Sequence, residues 1–390
     1  MDSLERLKLL SQQMDLEPVE DAACPKVTNP GKAPFISQAV LPNGKRISLL
    51  KTLLTSACER NCYYCPFRAG RDYRRATFKP DELAQTFMML HQAGIAQGIF
   101  LSSGIIGGGV RTQSLLIDSA EILRKKLGYT GYMHLKIMPG AEFDQLRRAM
   151  QFADRVSINL EAPNTHRLGM LAPSKRYLDE LLEPLQWIEQ IRKESAPDNR
   201  WRTGWPSSTT QFVVGAVGES DLELLSTTQK LYQSYGLQRA YFSAFNPVPD
   251  TPLENLPAES AIRQHRLYQA SFLMRDYQFD IEDLPLDSTG NLPRHIDPKL
   301  SWAQTNLSEN PVEINRADRR QLMQIPGIGP KGASRILSLR RQGNIRSLSE
   351  LSNLGIQSSR AAPFILIAGK RPVHQISFDI AAQSPLEGFA

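Results

Sequence analysis

Six times between about residue 46 and residue 277, a short β-branched run is followed by a longer stretch of helical period, and this alternation limits the fold more than any other feature of the chain. The spacing predicts strands at 46–55, 98–102, 132–137, 155–160, 211–217 and 239–244, with helices near 80–97, 112–127, 141–152, 174–194, 220–235 and 259–277. Pro80, Asp81 and Glu82 place proline and acids in a first helical turn, where the missing N–H costs nothing and negative charge meets the positive end of the helix dipole. Ser220 with Glu223 reads as a reciprocal cap before Leu224 and Leu225. Repeated β-then-α units build parallel sheets with crossover helices, and the run F-V-V-G-A-V suits a strand buried on both faces. A closed barrel needs eight units. Six predict an α/β fold, a partial (β/α)6 TIM-type barrel, with chemistry on the loops that follow the strands.

The first such loop carries C-E-R-N-C-Y-Y-C. Three of the chain's four cysteines, Cys58, Cys62 and Cys65, fall within eight residues, too crowded for a disulfide framework and suited to metal ligation. Three thiolates on one tight loop can cap three corners of an iron–sulfur cubane and leave one iron open. A zinc knuckle completed by Cys24 or a histidine is the competing reading. The motif resembles that of the radical S-adenosylmethionine superfamily, C-x3-C-x-Φ-C with Φ aromatic, and Tyr64 occupies the aromatic position. The resemblance covers about residues 46–280. It implies a [4Fe–4S] cluster on the three cysteines, S-adenosylmethionine on the open iron, an electron donor such as flavodoxin or ferredoxin, and a 5′-deoxyadenosyl radical as product of reductive cleavage.

The other strand ends supply weaker candidates. After the second predicted strand comes L-S-S-G, so Ser102, Ser103 and Gly104 replace the acid-containing loop that holds the amino group of S-adenosylmethionine in the resembling family. The fourth strand ends in Asn159 and Glu161, two positions on one face of a strand, where the family often reaches the ribose. The fifth gives V-V-G-A-V-G-E, similar to a glycine-containing segment near adenine, which nominates Val217 and Gly218. Arg71, Arg74, Arg75 and Lys79, interleaved with Tyr73 and Phe78, read either as a phosphate guide or as a solvated face. No catalytic side chain is nominated.

Charge is unevenly distributed. Between residues 311 and 372 eleven basic residues face three acids, a net +8, whereas the remaining 35 basic and 37 acidic residues give −2. A basic module on a near-neutral body points to an acidic polymer. It contains I-P-G-I-G-P-K-G-A-S-R, in which glycines allow a tight turn whose amides lie at a helix start. This resembles the helix-hairpin-helix motif, with Gly327, Ile328, Gly329, Lys331 and Arg335 as the implied nucleic-acid contacts, and a degenerate second copy at L-S-N-L-G-I.

The resulting division is an N-terminal extension (1–45), the partial barrel (46–283), a proline-rich linker (284–312), a small all-α helix-hairpin-helix domain (313–372) and a tail (373–390). No apolar run reaches the roughly 18 residues of a membrane span, and the first residues lack the pattern of a secretion signal, so a cytoplasmic protein without a membrane partner is expected. This domain order resembles a family of radical proteins assigned to DNA modification or repair. The implied function is hydrogen abstraction from nucleic acid, DNA ahead of RNA, on a base flipped from the duplex or already unpaired. The rival readings are an RNA-modifying enzyme and a non-catalytic iron–sulfur protein that binds nucleic acid.

Overall fold

The computed structural model describes residues 2–11, 14, 35–41, 44–198, 201 and 203–373. Cys24 lies outside the described residues. The chain divides into two compact units, residues 1–219 with 230–259, and residues 220–229 with 260–390.

The first unit is built on one seven-stranded sheet: β1 (Ile36–Val40), β2 (Arg46–Leu53), β3 (Gly98–Ser102), β4 (Tyr132–Lys136), β5 (Arg155–Ser157), β6 (Ser207–Val214) and β7 (Arg239–Ala244). The strands lie side by side in chain order; β2 to β7 are parallel and β1 is antiparallel to β2. Sequential parallel order, with helical segments between strands, is the winding of a partial barrel. Strand β1 was not anticipated. It comes from the N-terminal extension and pairs along β2 from Ile36 with Leu50 to Val40 with Arg46.

The helices of this unit are α1 (Ser3–Ser11), α2 (Pro80–Gln92), α3 (Gly109–Glu121), α4 (Phe143–Phe152), α5 (Thr165–Leu171) and α6 (Glu183–Glu194). Helix α7 (Asp221–Ser234) follows β6 in the chain. Helix α3 runs on as a π segment, Ile122–Lys126, and α6 is preceded by another, Tyr177–Leu182. Glu82 accepts from the Lys79 amide at 3.1 Å at the start of α2, as the first-turn acids predicted. Helices α1 and α5 were not predicted from the sequence.

Alternation along the strands gives the sheet two unlike faces. Leu50, Ile99, Leu101, Leu135, Val156 and Phe212 are fully buried on one face. The register aligns Lys51, Phe100, His134 and Arg155 across four adjacent strands of the other, so that face mixes basic and aromatic side chains.

The second unit contains α8 (Ala261–Asp276), α9 (Pro298–Asn306), α10 (Arg319–Gln324), α11 (Pro330–Leu339), α12 (Leu348–Asn353) and α13 (Ser358–Ala361), with a two-stranded parallel pairing of β8 (Val312–Glu313) and β9 (Ile365–Leu366). Ile314, Leu322, Ile325, Ile336, Leu351 and Ile365 form its core, joined by Ala303 and Leu307 from the end of α9. The expected linker 284–312 therefore differs from the structure: its second half is a helical element whose apolar residues enter the core. Asp318 alone caps α10, accepting from Gln321 N at 2.8 Å, while Asn315 bonds both backbone groups of Ile345. No helix among the described residues is long and apolar enough to cross a membrane.

Candidate functional site

The loop after β2 is tied down before it presents its thiols. Leu54 N donates to Ser102 O and Gly104 N to Thr55 O, which staples the loop after β2 to the loop after β3. Gly104 is required by this contact, since a Cβ there would collide with the Ala57 carbonyl. Ile105 N approaches Cys58 Sγ at 3.5 Å, and Glu59 accepts from the amides of Gly107 and Gly108. Below the loop, Arg75 donates to four carbonyls, those of Ser56, Phe67, Arg68 and Arg71, at 2.6–3.3 Å. Arg71 likewise donates to Pro66 O and Pro249 O. The reading of this arginine run as a phosphate guide is thus corrected for Arg71 and Arg75, whose guanidiniums are spent on the loop's own backbone.

Cys58, Cys62 and Cys65 line one cavity together with Tyr64, Ser103, Gly104, Asn159 and Glu161. The ends of β2, β3 and β5 and their loops thus meet in one cavity. Ser102 is buried at the end of β3 and does not line the cavity. Val217 and Gly218 are not in the lining either. There Glu219 turns back to accept from the amides of Gly215 and Val217, and the Val217 carbonyl accepts from Arg167 at 2.8 Å, so this segment is organised around its own backbone.

Three charged lining residues were missed by the sequence reading: Arg60, Lys136 and Lys175. Lys175 lies in the loop after α5, more than a hundred residues from the cysteines, and no local pattern marks it. Its Nζ pairs with Glu161 Oε1 at 2.9 Å, with the two side chains 9% and 4% exposed. Arg60, between the first two cysteines, anchors the same loop by donating to Ser174 O and by pairing with Glu180 at 2.8 Å. Glu161 itself sits at φ 64, a left-handed conformation uncommon outside glycine that costs a side-chain-bearing residue roughly 1–3 kcal/mol. It is held there by backbone bonds to Gln211 O and from Val213 N.

The electrostatics follow from burial. Desolvation pushes the thiols of Cys62 and Cys65 up from their ordinary value, and the neighbouring sulfurs add to it. Burial, reinforced by Glu161, holds the Tyr64 phenol well above its usual range. Burial disfavours the Lys175 ammonium, but Cys62 and Glu161 outweigh it and keep the amine charged.

Comparison with known proteins follows the same geometry. The model of the Radical SAM superfamily matches residues 52–196, the stretch that contributes the three cysteines, Asn159, Glu161 and Lys175. The chain carries a radical S-adenosylmethionine domain. A helix-hairpin-helix motif matches residues 308–356. The radical S-adenosylmethionine domain is similar to 7,8-didemethyl-8-hydroxy-5-deazariboflavin synthase of Methanosarcina barkeri, 23% identical over 214 residues, which are 53% of this chain and 63% of that protein. Among solved structures it is similar to the FeFe-hydrogenase maturase HydG of Carboxydothermus hydrogenoformans (TM-score 0.46, 13% identity, 58% of this chain and 51% of that one) and to methylornithine synthase, PylB (TM-score 0.46, 13% identity, 58% and 61%). The chain thus spans somewhat under two thirds of the curated relative it matches.

Radical S-adenosylmethionine domains use a [4Fe–4S] cluster and S-adenosylmethionine, and the residues present fit both. Three thiols converge on one cavity, and burial makes those of Cys62 and Cys65 reluctant to ionise alone, which is the situation a cationic metal cluster relieves. The buried Ser103 Oγ lines the same cavity with no hydrogen-bond partner among the described residues, as a waiting polar contact would.

In the helical unit, Gly327, Ile328 and Gly329 form the turn between α10 and α11. Gly327 has φ 83, and a Cβ there would meet the Gln357 carbonyl. The Ile328 side chain is buried in the core, leaving only its backbone to a ligand. Lys331 is exposed on α11. Arg335 donates to Leu354 O at 2.7 Å and so ties α11 to the second, degenerate hairpin.

Proposed function

We propose that this chain is a radical S-adenosylmethionine enzyme that abstracts hydrogen from nucleic acid, DNA ahead of RNA, in a modification or repair reaction. The observation that carries the enzyme reading is the convergence of Cys58, Cys62 and Cys65, from one loop, on a cavity shared with Glu161 and Lys175. When bound, a [4Fe–4S] cluster with S-adenosylmethionine supplies a strongly reducing centre and a primary carbon radical; the organic chemistry is the cofactor's. The chain's own part is to bind, orient and exclude. Cys58, Cys62 and Cys65 would hold the cluster, and the Gly104 and Ser103 backbone, Asn159 and Glu161 would line the cofactor. Lys175, kept charged beside Glu161, offers a fixed cation for a carboxylate, and the enclosing loops keep water from a reactive intermediate.

The nucleic-acid reading rests on the second unit, whose hairpin motif and +8 segment suit a phosphate backbone read without regard to sequence. The test is anaerobic reconstitution with iron and sulfide, reduction by flavodoxin or dithionite, and addition of S-adenosylmethionine with deuterated DNA or RNA. Release of 5′-deoxyadenosine carrying deuterium from DNA supports the reading, and transfer from RNA alone moves the substrate to RNA. A full cluster without 5′-deoxyadenosine would return the chain to a non-catalytic iron–sulfur binding protein.

A further inference from the structure

Beside the hairpin of the second unit lies a cavity of about 290 Å³, far more than one water needs. Its wall is made by the Gly327–Gly329 turn and by three charged side chains from outside the motif: Asp297 and Lys299 at the start of α9, and Arg360 of α13. Asp297 caps α9 by accepting from Leu300 N at 2.8 Å and is paired with Arg360. Lys299 Nζ donates to the hairpin carbonyl Ile328 O at 2.6 Å and lies over the Tyr277 ring at 4.6 Å from its centroid. The wall therefore holds two cations and one carboxylate, and the carboxylate is already engaged by the arginine. An ammonium has three donors. One is on Ile328 O and the ring covers one side, so donor capacity remains for a ligand in the cavity.

We infer that this cavity is a phosphate site, in which a phosphodiester of bound nucleic acid sits against the Lys299 ammonium and the Arg360 guanidinium beside the hairpin. The inference rests on the nucleic-acid reading of this unit and adds residues of α9 and α13 to the contacts that the hairpin motif implies. Lys299 belongs to the stretch that reads as a linker, so nothing in the motif itself points to it.

A consequence is proton linkage. Desolvation, countered by Asp297 and reinforced by Arg360, pushes the free Lys299 amine down to about 7. The groups around it are Asp297, Arg360 and the Tyr277 phenol. Further out on α8, His265 and Arg266 both feel Asp297. An anion in the cavity favours the charged amine and raises its pKa, so binding takes up a proton at pH above about 7. Affinity then falls as pH rises through that value, on the order of ten-fold between about pH 6.5 and 8.5.

The experiment uses the full chain and a fluorescein-labelled twelve-nucleotide single-stranded DNA, with anisotropy titrations at pH 6.5 and 8.5. Wild type should bind more weakly at the higher pH. Lys299→Met should lose on the order of ten-fold at pH 6.5 and respond little to pH. Lys299→Arg, whose guanidinium stays charged throughout, should keep wild-type affinity at pH 6.5 and retain it at 8.5, which a merely structural role for the lysine would not produce. If Lys299→Met binds like wild type with the same pH response, the phosphate site is overturned while the nucleic-acid reading survives. If wild type binds no DNA at either pH, both fall together.

Discussion

Lys175 and Glu161 are a buried ion pair facing three thiols, and such pairs punish the loss of one partner more than the loss of both. Removing the lysine leaves a carboxylate 4% exposed with its cation gone, a change expected to cost about 3–5 kcal/mol. Lys175→Met should therefore lower the urea midpoint of the apo protein markedly, and Lys175→Met with Glu161→Gln should recover most of it; equal destabilisation by single and double variants would mean the pair is not coupled. Arg75 is a second decisive residue. Its four carbonyl contacts hold the loop that carries the cysteines, and each charged hydrogen bond of this kind contributes about 1.5–3 kcal/mol. Loss of iron from the reconstituted protein to a chelator should be on the order of ten-fold faster in Arg75→Gln, since about 1.4 kcal/mol already corresponds to that factor, while Arg75→Lys recovers part of the deficit. Iron release at the parental rate would remove Arg75 from this role. At this scale the sequence revealed what is local. The thiols and Tyr64 are legible because their spacing is contained in eight residues, whereas Lys175 and Arg75 act through contacts that only the folded chain makes.

Between elements, the decisive contact is the one joining the loop after β2 to the loop after β3. Gly104 N donates to Thr55 O, and no side chain fits at Gly104 because the Ala57 carbonyl occupies its Cβ position. Gly104→Ala must displace backbone and not merely a flexible side chain, so the two loops separate and the Cys58 thiol moves with them. Uptake of iron should fall sharply in this variant, whereas Gly169→Ala, with open space at its Cβ, should reconstitute like the parent; normal uptake by Gly104→Ala would show that the loops adapt. The elements themselves were read well where periodicity was strong: β3 and β7 coincide with the predicted ranges, and α2, α4 and α8 start within about three residues of them. Strand β5 stops at Ser157, short of the predicted 160, because the chain turns into the left-handed residue Glu161 although its backbone still bonds to β6. Helix α5 and strand β1 escaped because a seven-residue helix and a five-residue edge strand give too few periods to stand out. Helix α9 escaped for another reason: prolines on both sides mask an element that is defined by the core it enters.

At the scale of the whole molecule, positive charge is concentrated in residues 311–372, at a net +8 against −2 for the rest of the chain, and this concentration makes a quantitative forecast. Binding that works through phosphates releases counterions, so the logarithm of affinity falls linearly with the logarithm of salt, with a slope near −0.9 for each phosphate neutralised on a duplex. If the hairpin and its flanking cations engage about two to four phosphates, the slope should lie between about −2 and −4 over roughly 50–200 mM salt. It should be the same for scrambled sequences, since backbone contacts carry no base information. Arg360→Met should reduce the slope by about one. Deleting residues 311–390 would be a poor way to ask the same question, because it strips Ala303 and Leu307 of their core partners and tests folding as much as binding. Charge substitutions in the intact chain, followed by anisotropy across a salt series, separate the two. A slope near zero, or one that depends on sequence, would mean that this unit recognises something other than a phosphate backbone, whatever the radical domain then acts upon.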